Sequence, residues 1–277
     1  MTAAIKHIAG LYARVHRKLL RIADTVSPTS VARRVNRPPL FVFSLHKSGT
    51  HLLRNILESL GFGLYSTDGS RPDMSHALLA NPSQYISTVH RLPGDDVRVA
   101  CAKGEARIIL NIRDPRDIFL STIDYFDWTR PDTAFAHVNF YRQAYSRAFP
   151  SRRSLALAIL EDRTLGDYPY TISAQLQACQ VLYFHPSVLS VKYEDFMACL
   201  ESTCNPASHP VSRICEYLQI DVPKDIGELV RRAVTRGSRT MNVGRADRWR
   251  VDLDPDLIGR FQERHGQVIR SLGYSID

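Results

Sequence analysis

The sequence predicts an α/β fold: a single domain with a central, mostly parallel sheet flanked by helices. Two observations carry this. From Leu40 onward short apolar runs alternate with helical patterns, which is how strands joined by crossover helices read. Strands separated by helices imply a parallel sheet covered on both faces. A loop of Lys, Ser, Gly and Thr lies between the first run and the first helical segment, where open α/β sheets place their ligands.

The totals agree. With 277 residues, 44% hydrophobic and 23% charged, the chain can bury a sizeable core and is not a disordered polymer. The net charge of +8 is local: residues 1–37 hold eight Lys or Arg against one acid, Asp24, so the remainder is nearly neutral and a nucleic-acid partner is not expected. Five Cys without a Cys-x-x-Cys pair make neither a disulfide framework nor a zinc motif, so reduced thiols and a cytoplasmic location are expected. No run reaches the ~18 apolar residues of a membrane span, and Lys6, Arg14 and Arg17 interrupt the N-terminal apolar residues, which argues against a secretory signal.

Taken in order, residues 1–37 read as a basic amphipathic helix and linker. Ile5, Ile8, Tyr12, Val15, Leu19 and Ile22 form one stripe at helical spacing, with Lys and Arg around it. Such a helix can pack on its own domain, lie on an anionic membrane surface at the cytoplasmic face, or serve as an organelle transit peptide. Residues 38–277 form the domain. Strands are predicted at Leu40–Ser44, Val97–Cys101, Arg107–Ile112 and Val188–Lys192. Helices are predicted over 50–60, 115–125, 133–148, 170–183, 210–218, 224–235 and 255–272. In the last, Asp254 can cap, Pro255 suits the first helical position, and Gly273 follows the end.

Lys47-Ser48-Gly49-Thr50 joins a strand to a helix N-terminus. Loop N–H groups and the helix dipole favour an anion there, Gly49 permits close approach, and Lys47 adds a full charge. The Gly-Lys-Ser/Thr order of a Walker A motif is absent. A second anion site is suggested by Arg113 at a strand end, by Asp114-Pro115 starting the next helix, and by Ser121 about two turns on. Two phosphate cradles at neighbouring strand ends suit a nucleotide carrying phosphates at both ends.

With those residues in view the chain resembles the sulfotransferases that use 3′-phosphoadenosine-5′-phosphosulfate (PAPS), over roughly residues 40–274. Lys47-Ser48-Gly49-Thr50 is similar to that family's 5′-phosphosulfate loop, and Arg113-Asp-Pro-Arg-Asp with Ser121 to its 3′-phosphate motif. Val191-Lys-Tyr193-Glu-Asp-Phe196 resembles its strand ending in Tyr-Glu-Asp. Gly244-Arg245-Ala-Asp-Arg-Trp249-Arg resembles, more loosely, its C-terminal Gly-rich segment.

The resemblance implies a P-loop NTPase-like fold and in-line transfer of a sulfuryl group from PAPS to a hydroxyl, less readily an amine, of a small-molecule, glycan or lipid acceptor. The product is adenosine 3′,5′-bisphosphate (PAP), and no metal is required. It implies that Lys47 neutralises the leaving phosphate and that Ser48, Gly49, Thr50 and His51 line the 5′ site through amides and the Ser48 and Thr50 hydroxyls. Arg113 and Ser121 then grip the 3′-phosphate, with Tyr193, Gly244 and Arg245 completing the nucleotide site.

His90, in a stretch similar to the family's His-Leu-Pro segment but with Arg91 inserted, is the expected general base. His46, His51, Glu105 and Asp124 are its rivals. His51-Leu52 stands where the family commonly has Thr-Trp, so adenine stacking falls to Phe126 or Tyr193. Asn242 stands where the family has Arg, so Arg239 or Arg245 takes that phosphate contact, and Trp249 is either core or ligand contact. Residues 127–169, rich in Tyr, Phe and Arg, are expected to shape the acceptor pocket. Competing functions are a P-loop kinase or nucleotide hydrolase, which needs a carboxylate for Mg²⁺, and a non-catalytic scaffold.

Overall fold

The computed structural model describes residues 37–67, 71–87, 92–129, 136–163, 171–201, 208–235 and 245–276. The N-terminal helix expected within residues 1–37 lies outside them. Pro38–Asp277 forms one compact unit. In it β1 (Leu40–Ser44) leads through a short loop into α1 (Thr50–Ser59). After β2 (Gly63–Ser66), α2 (Met74–Leu79), β3 (Gln84–Ser87) and α3 (Asp95–Ala102) comes β4 (Arg107–Ile112), which feeds α4 (Pro115–Phe126). Helices α5 (Ala136–Ala148), α6 (Arg152–Leu160) and α7 (Ile172–Tyr183) precede β5 (Val188–Lys192). Helices α8 (Tyr193–Glu201), α9 (Pro210–Leu218), α10 (Ile226–Thr235), α11 (Trp249–Asp252) and α12 (Pro255–Ser271) follow.

The five strands pair in the order β2-β3-β1-β4-β5, and every pairing is parallel. The mainly apolar strands follow from the layers on both sides. Phe41, Phe43, Ile108, Leu110 and Ile112 face one core with α4, α6, α7 and α12, where the Phe119 and Phe261 rings stack with centroids 4.8 Å apart. Leu40, Val42, Ile109 and Val191 face the other, built with α1, α8, α9 and α10. Each fully buried Phe or Ile side chain here stabilises the fold by about 1.5–3 kcal/mol. The β1–β4 register sets Ser44 opposite Asn111, so the loops leaving these two strands emerge side by side at the sheet's carboxyl edge. There the connections diverge, toward β2 and β3 on one side and β5 on the other, which opens a crevice.

Helix α12 begins as expected: the Asp254 carboxylate accepts the Asp256 N–H at 2.9 Å and Pro255 takes the first position. Val97–Cys101, expected as a strand, is instead part of α3. Val97, Ala100 and Cys101 recur at helical spacing on its buried side, and Asp95 and Asp96 in the first turn complement the helix dipole. Against the expectation of reduced thiols, Cys199 is disulfide-bonded. Cys101, Cys179 and Cys215 are free and buried. Among the described residues no helix is long and apolar enough to cross a membrane.

Candidate active site

The loop after β1 owes its shape to two left-handed residues, Lys47 at φ 66° and Gly49 at φ 92°. The Ser48 N–H donates to Leu45 O at 3.1 Å, closing a turn. The Ser48 hydroxyl also points inward, donating to Leu45 O at 2.8 Å and lying 2.9 Å from Ser44 Oγ, which in turn lies 2.7 Å from Thr50 Oγ1. Asn111 on β4 locks the loop from beneath, its Nδ2 donating to Ser48 O at 2.9 Å. No side chain caps the N-terminus of α1, so its positive end is presented outward over Gly49. Lys47 Nζ lies 4.3 Å from the centroid of the Tyr125 ring, which also meets His46 edge-on at 5.1 Å.

Arg113 follows β4 and ties the second turn to the first. Its Nη1 donates to Lys47 O at 3.3 Å, while Nη2 donates to Asp117 Oδ2 at 3.1 Å and to Arg245 O at 2.9 Å. Its guanidinium lies 4.6 Å over the Tyr193 ring, the same ring that backs Gly49. Burial raises the Asp117 carboxyl above its usual range even though Arg113 pulls it down. Ser121, buried on α4, stands one helical turn beyond Asp117 on the same face.

Asp114 caps α4 by accepting the Arg116 N–H at 2.8 Å, and the Arg116 fork closes on the same carboxylate at 3.0 and 2.7 Å. Arg116 in turn stacks 3.7 Å over Trp249, whose backbone N–H reaches Asp117 Oδ1 at 3.0 Å.

Glu194 lies behind this turn. Its Oε1 accepts the Asp114 N–H at 2.8 Å and its Oε2 accepts the Tyr274 hydroxyl at 2.9 Å. Burial outweighs both bonds and pushes its pKa from 4.5 to about 7. The folded state therefore holds this proton at pH values where the unfolded chain has released it. The resulting stability is complete below the ordinary carboxyl pKa and is lost as pH rises through about 7. Urea unfolding of wild type across that interval should show this decline, and Glu194→Gln should remove its share of it.

A scan of family models and a search of curated proteins both find no match for the sequence. The fold does match solved structures. The mouse sulfotransferase SULT7A1 complexed with PAP superposes with a TM-score of 0.57 at 16% identity, covering 84% of each chain. Retinol dehydratase in complex with androsterone and inactive cofactor PAP gives 0.51 at 14% identity, covering 87% of this chain and 83% of that one. This is a sulfotransferase fold.

On the sulfotransferase fold the described site residues fall as follows. Lys47, Ser48, Gly49, Thr50, Arg113 and Tyr193 converge at the β1–β4 crevice, with Ser121 on the helix leaving it. His51 stands on the first turn of α1, where desolvation, then Arg54 and Lys47, lower its basicity. Arg245 enters through its carbonyl. His90, Gly244, Arg239 and Asn242 lie outside the described residues.

Several expectations need correction. The Ser48 hydroxyl serves the loop's interior, not its outer surface. Ser48→Ala should accordingly cost about 1–3 kcal/mol in urea unfolding and leave nucleotide affinity unchanged. Glu105 precedes β4 and so lies at the opposite edge of the sheet from Lys47. Asp124 is buried between Arg152 at 2.7 Å and Arg248 at 3.0 Å, each of which engages one of its two oxygens. Phe126 is buried in the core against Tyr141 and Tyr145, so it offers no face to adenine. Trp249 is core, buried between Arg116 and Arg250. Tyr125, Asn111 and Asp117 belong to the site although sequence reasoning did not select them.

Proposed function

We propose that this chain is a PAPS-dependent sulfotransferase acting on the hydroxyl of a small-molecule, glycan or lipid acceptor. The observation that supports it most is the joining of the two anion-favouring turns by one side chain. Arg113 reaches from the end of β4 to the carbonyl of Lys47, so the Lys47 loop and the Arg113 turn form one rigid edge. That edge fits a nucleotide with a phosphate at each end. Lys47 and the uncapped α1 N-terminus bring positive charge to one turn, and the Arg113 guanidinium, shared with Asp117, brings it to the other.

When bound, PAPS supplies an activated sulfuryl group whose transfer leaves PAP. The chain's task is to orient the donor and to neutralise charge at the 5′-phosphate, and Lys47 is the residue on the loop able to do so. His90 is assigned the acceptor's proton through the family resemblance, with Asp124 and Glu105 set aside by their positions.

The kinase or hydrolase reading loses its best Mg²⁺ ligand, since the Asp114 carboxylate is closed off by the Arg116 fork and backbone. A thermal-shift comparison tests the proposal. PAP should raise the melting temperature in the presence of EDTA, and ATP should not. Stabilisation by Mg²⁺ and ATP with none by PAP would overturn it.

A further inference from the structure

The segment after α12 reaches back to the Arg113 turn and is built into it. Gly273, at φ 76°, turns the chain out of the helix. Lys192 Nζ donates to Gly273 O at 2.8 Å and lies 4.3 Å over the Tyr274 ring. Arg116 Nη2 donates to Ser275 O at 2.7 Å, and Gln262 Nε2 to Ile276 O at 2.6 Å. Thus anchored, Tyr274 directs its hydroxyl to Glu194, whose other oxygen takes the backbone N–H of Asp114.

That N–H adjoins Arg113 directly. A free donor there would be a buried polar group, and the turn would relax to satisfy it. We infer that Tyr274, acting through Glu194, is a positioning residue that holds the Arg113–Asp114 turn in the geometry that receives a 3′-phosphate. The inference rests on the reading of that turn as the 3′-phosphate site.

Three features make the relay specific rather than general packing. The Glu194 carboxyl uses each oxygen for a different partner, so it couples the two segments instead of bonding within one. Burial favours its neutral form and raises the Tyr274 hydroxyl as well, which keeps excess negative charge away from an anion site. The charged groups facing the relay are Arg113, Lys192 and the Arg116–Asp114 pair, with Asp117 across the turn.

The test compares affinities for PAP and adenosine 5′-phosphate by calorimetry, since their ratio isolates the 3′-phosphate. Tyr274→Phe keeps the ring on Lys192 and removes one hydroxyl. It should lower the ratio about five- to tenfold while leaving adenosine 5′-phosphate affinity unchanged. Glu194→Ala, which removes the acceptor of the Asp114 N–H itself, should show at least the same loss. Glu194→Gln should preserve the ratio, because its amide can accept from Asp114 and donate to the Tyr274 oxygen. An unchanged ratio in both Tyr274→Phe and Glu194→Ala, or an equal loss for both nucleotides, overturns the inference alone. A wild-type protein with no preference for PAP overturns the proposed function with it.

Discussion

Replacing Lys47 by alanine is expected to lower kcat for sulfuryl transfer at saturating PAPS by about 10²–10³-fold, the cost of removing one preorganised group aimed at developing charge. Folding should survive. The side chain is half-buried, and the contact of its ammonium with the Tyr125 face contributes only about 0.5–1 kcal/mol. The left-handed backbone at φ 66° is as uncomfortable for alanine as for lysine, so the substitution neither adds nor relieves strain. Steady-state kinetics beside urea unfolding separate the two effects: a large fall in kcat with nearly constant stability supports the assigned role. Activity within a few-fold of wild type would return Lys47 to the status of a surface cation and favour a scaffold on this fold.

The second large effect is expected at Gly49. An alanine Cβ there would fall on Cδ2 of the Tyr193 ring and lie 3.0 Å from Cε2, and the φ of 92° is itself unfavourable for any L side chain. The ring cannot easily retreat, because it is buried and carries the Arg113 guanidinium on its face. Left-handed strain of about 1–2 kcal/mol and overpacking of about 1–3 kcal/mol should add, since they arise from different atoms. Displacing Tyr193 also moves Arg113, so PAP affinity should fall together with stability. Gly104 provides the control. It has φ 76° but nothing within 4 Å of an added Cβ, so Gly104→Ala should show the backbone cost alone and bind PAP normally.

Much of this arrangement was readable before the structure because the informative residues are adjacent in sequence. The Lys47 loop and the Asp114-Pro115 helix start each lie within a few positions of an apolar strand, and β1, β4 and β5 announce themselves as short, mainly apolar runs. Strands β2 and β3 did not, because four residues each are too few for a pattern to rise above chance. Helix α3 misled for a related reason: the run from Val97 to Cys101 is compatible with two periods, and packing on one face decides between them.

Within the site, what escaped detection is what depends on contacts distant in sequence. Asn111 carried a signal, as a polar residue within Ile-Ile-Leu-Asn-Ile, and it proves to lock Ser48 from the neighbouring strand. Tyr125 and Tyr274 carried none, because only the fold brings one to Lys47 and the other to Glu194. The direction of the Ser48 hydroxyl was equally hidden, being set by the left-handed turn at Lys47.

The most direct test of the account is to incubate the protein with sulfuryl-labelled PAPS and a panel of alcohols in EDTA, following the label and PAP together. The account predicts that label appears on a hydroxyl in step with PAP release, and that Lys47→Ala suppresses both. No transfer to any alcohol, with Mg²⁺-dependent cleavage of ATP by the same preparation, would contradict it.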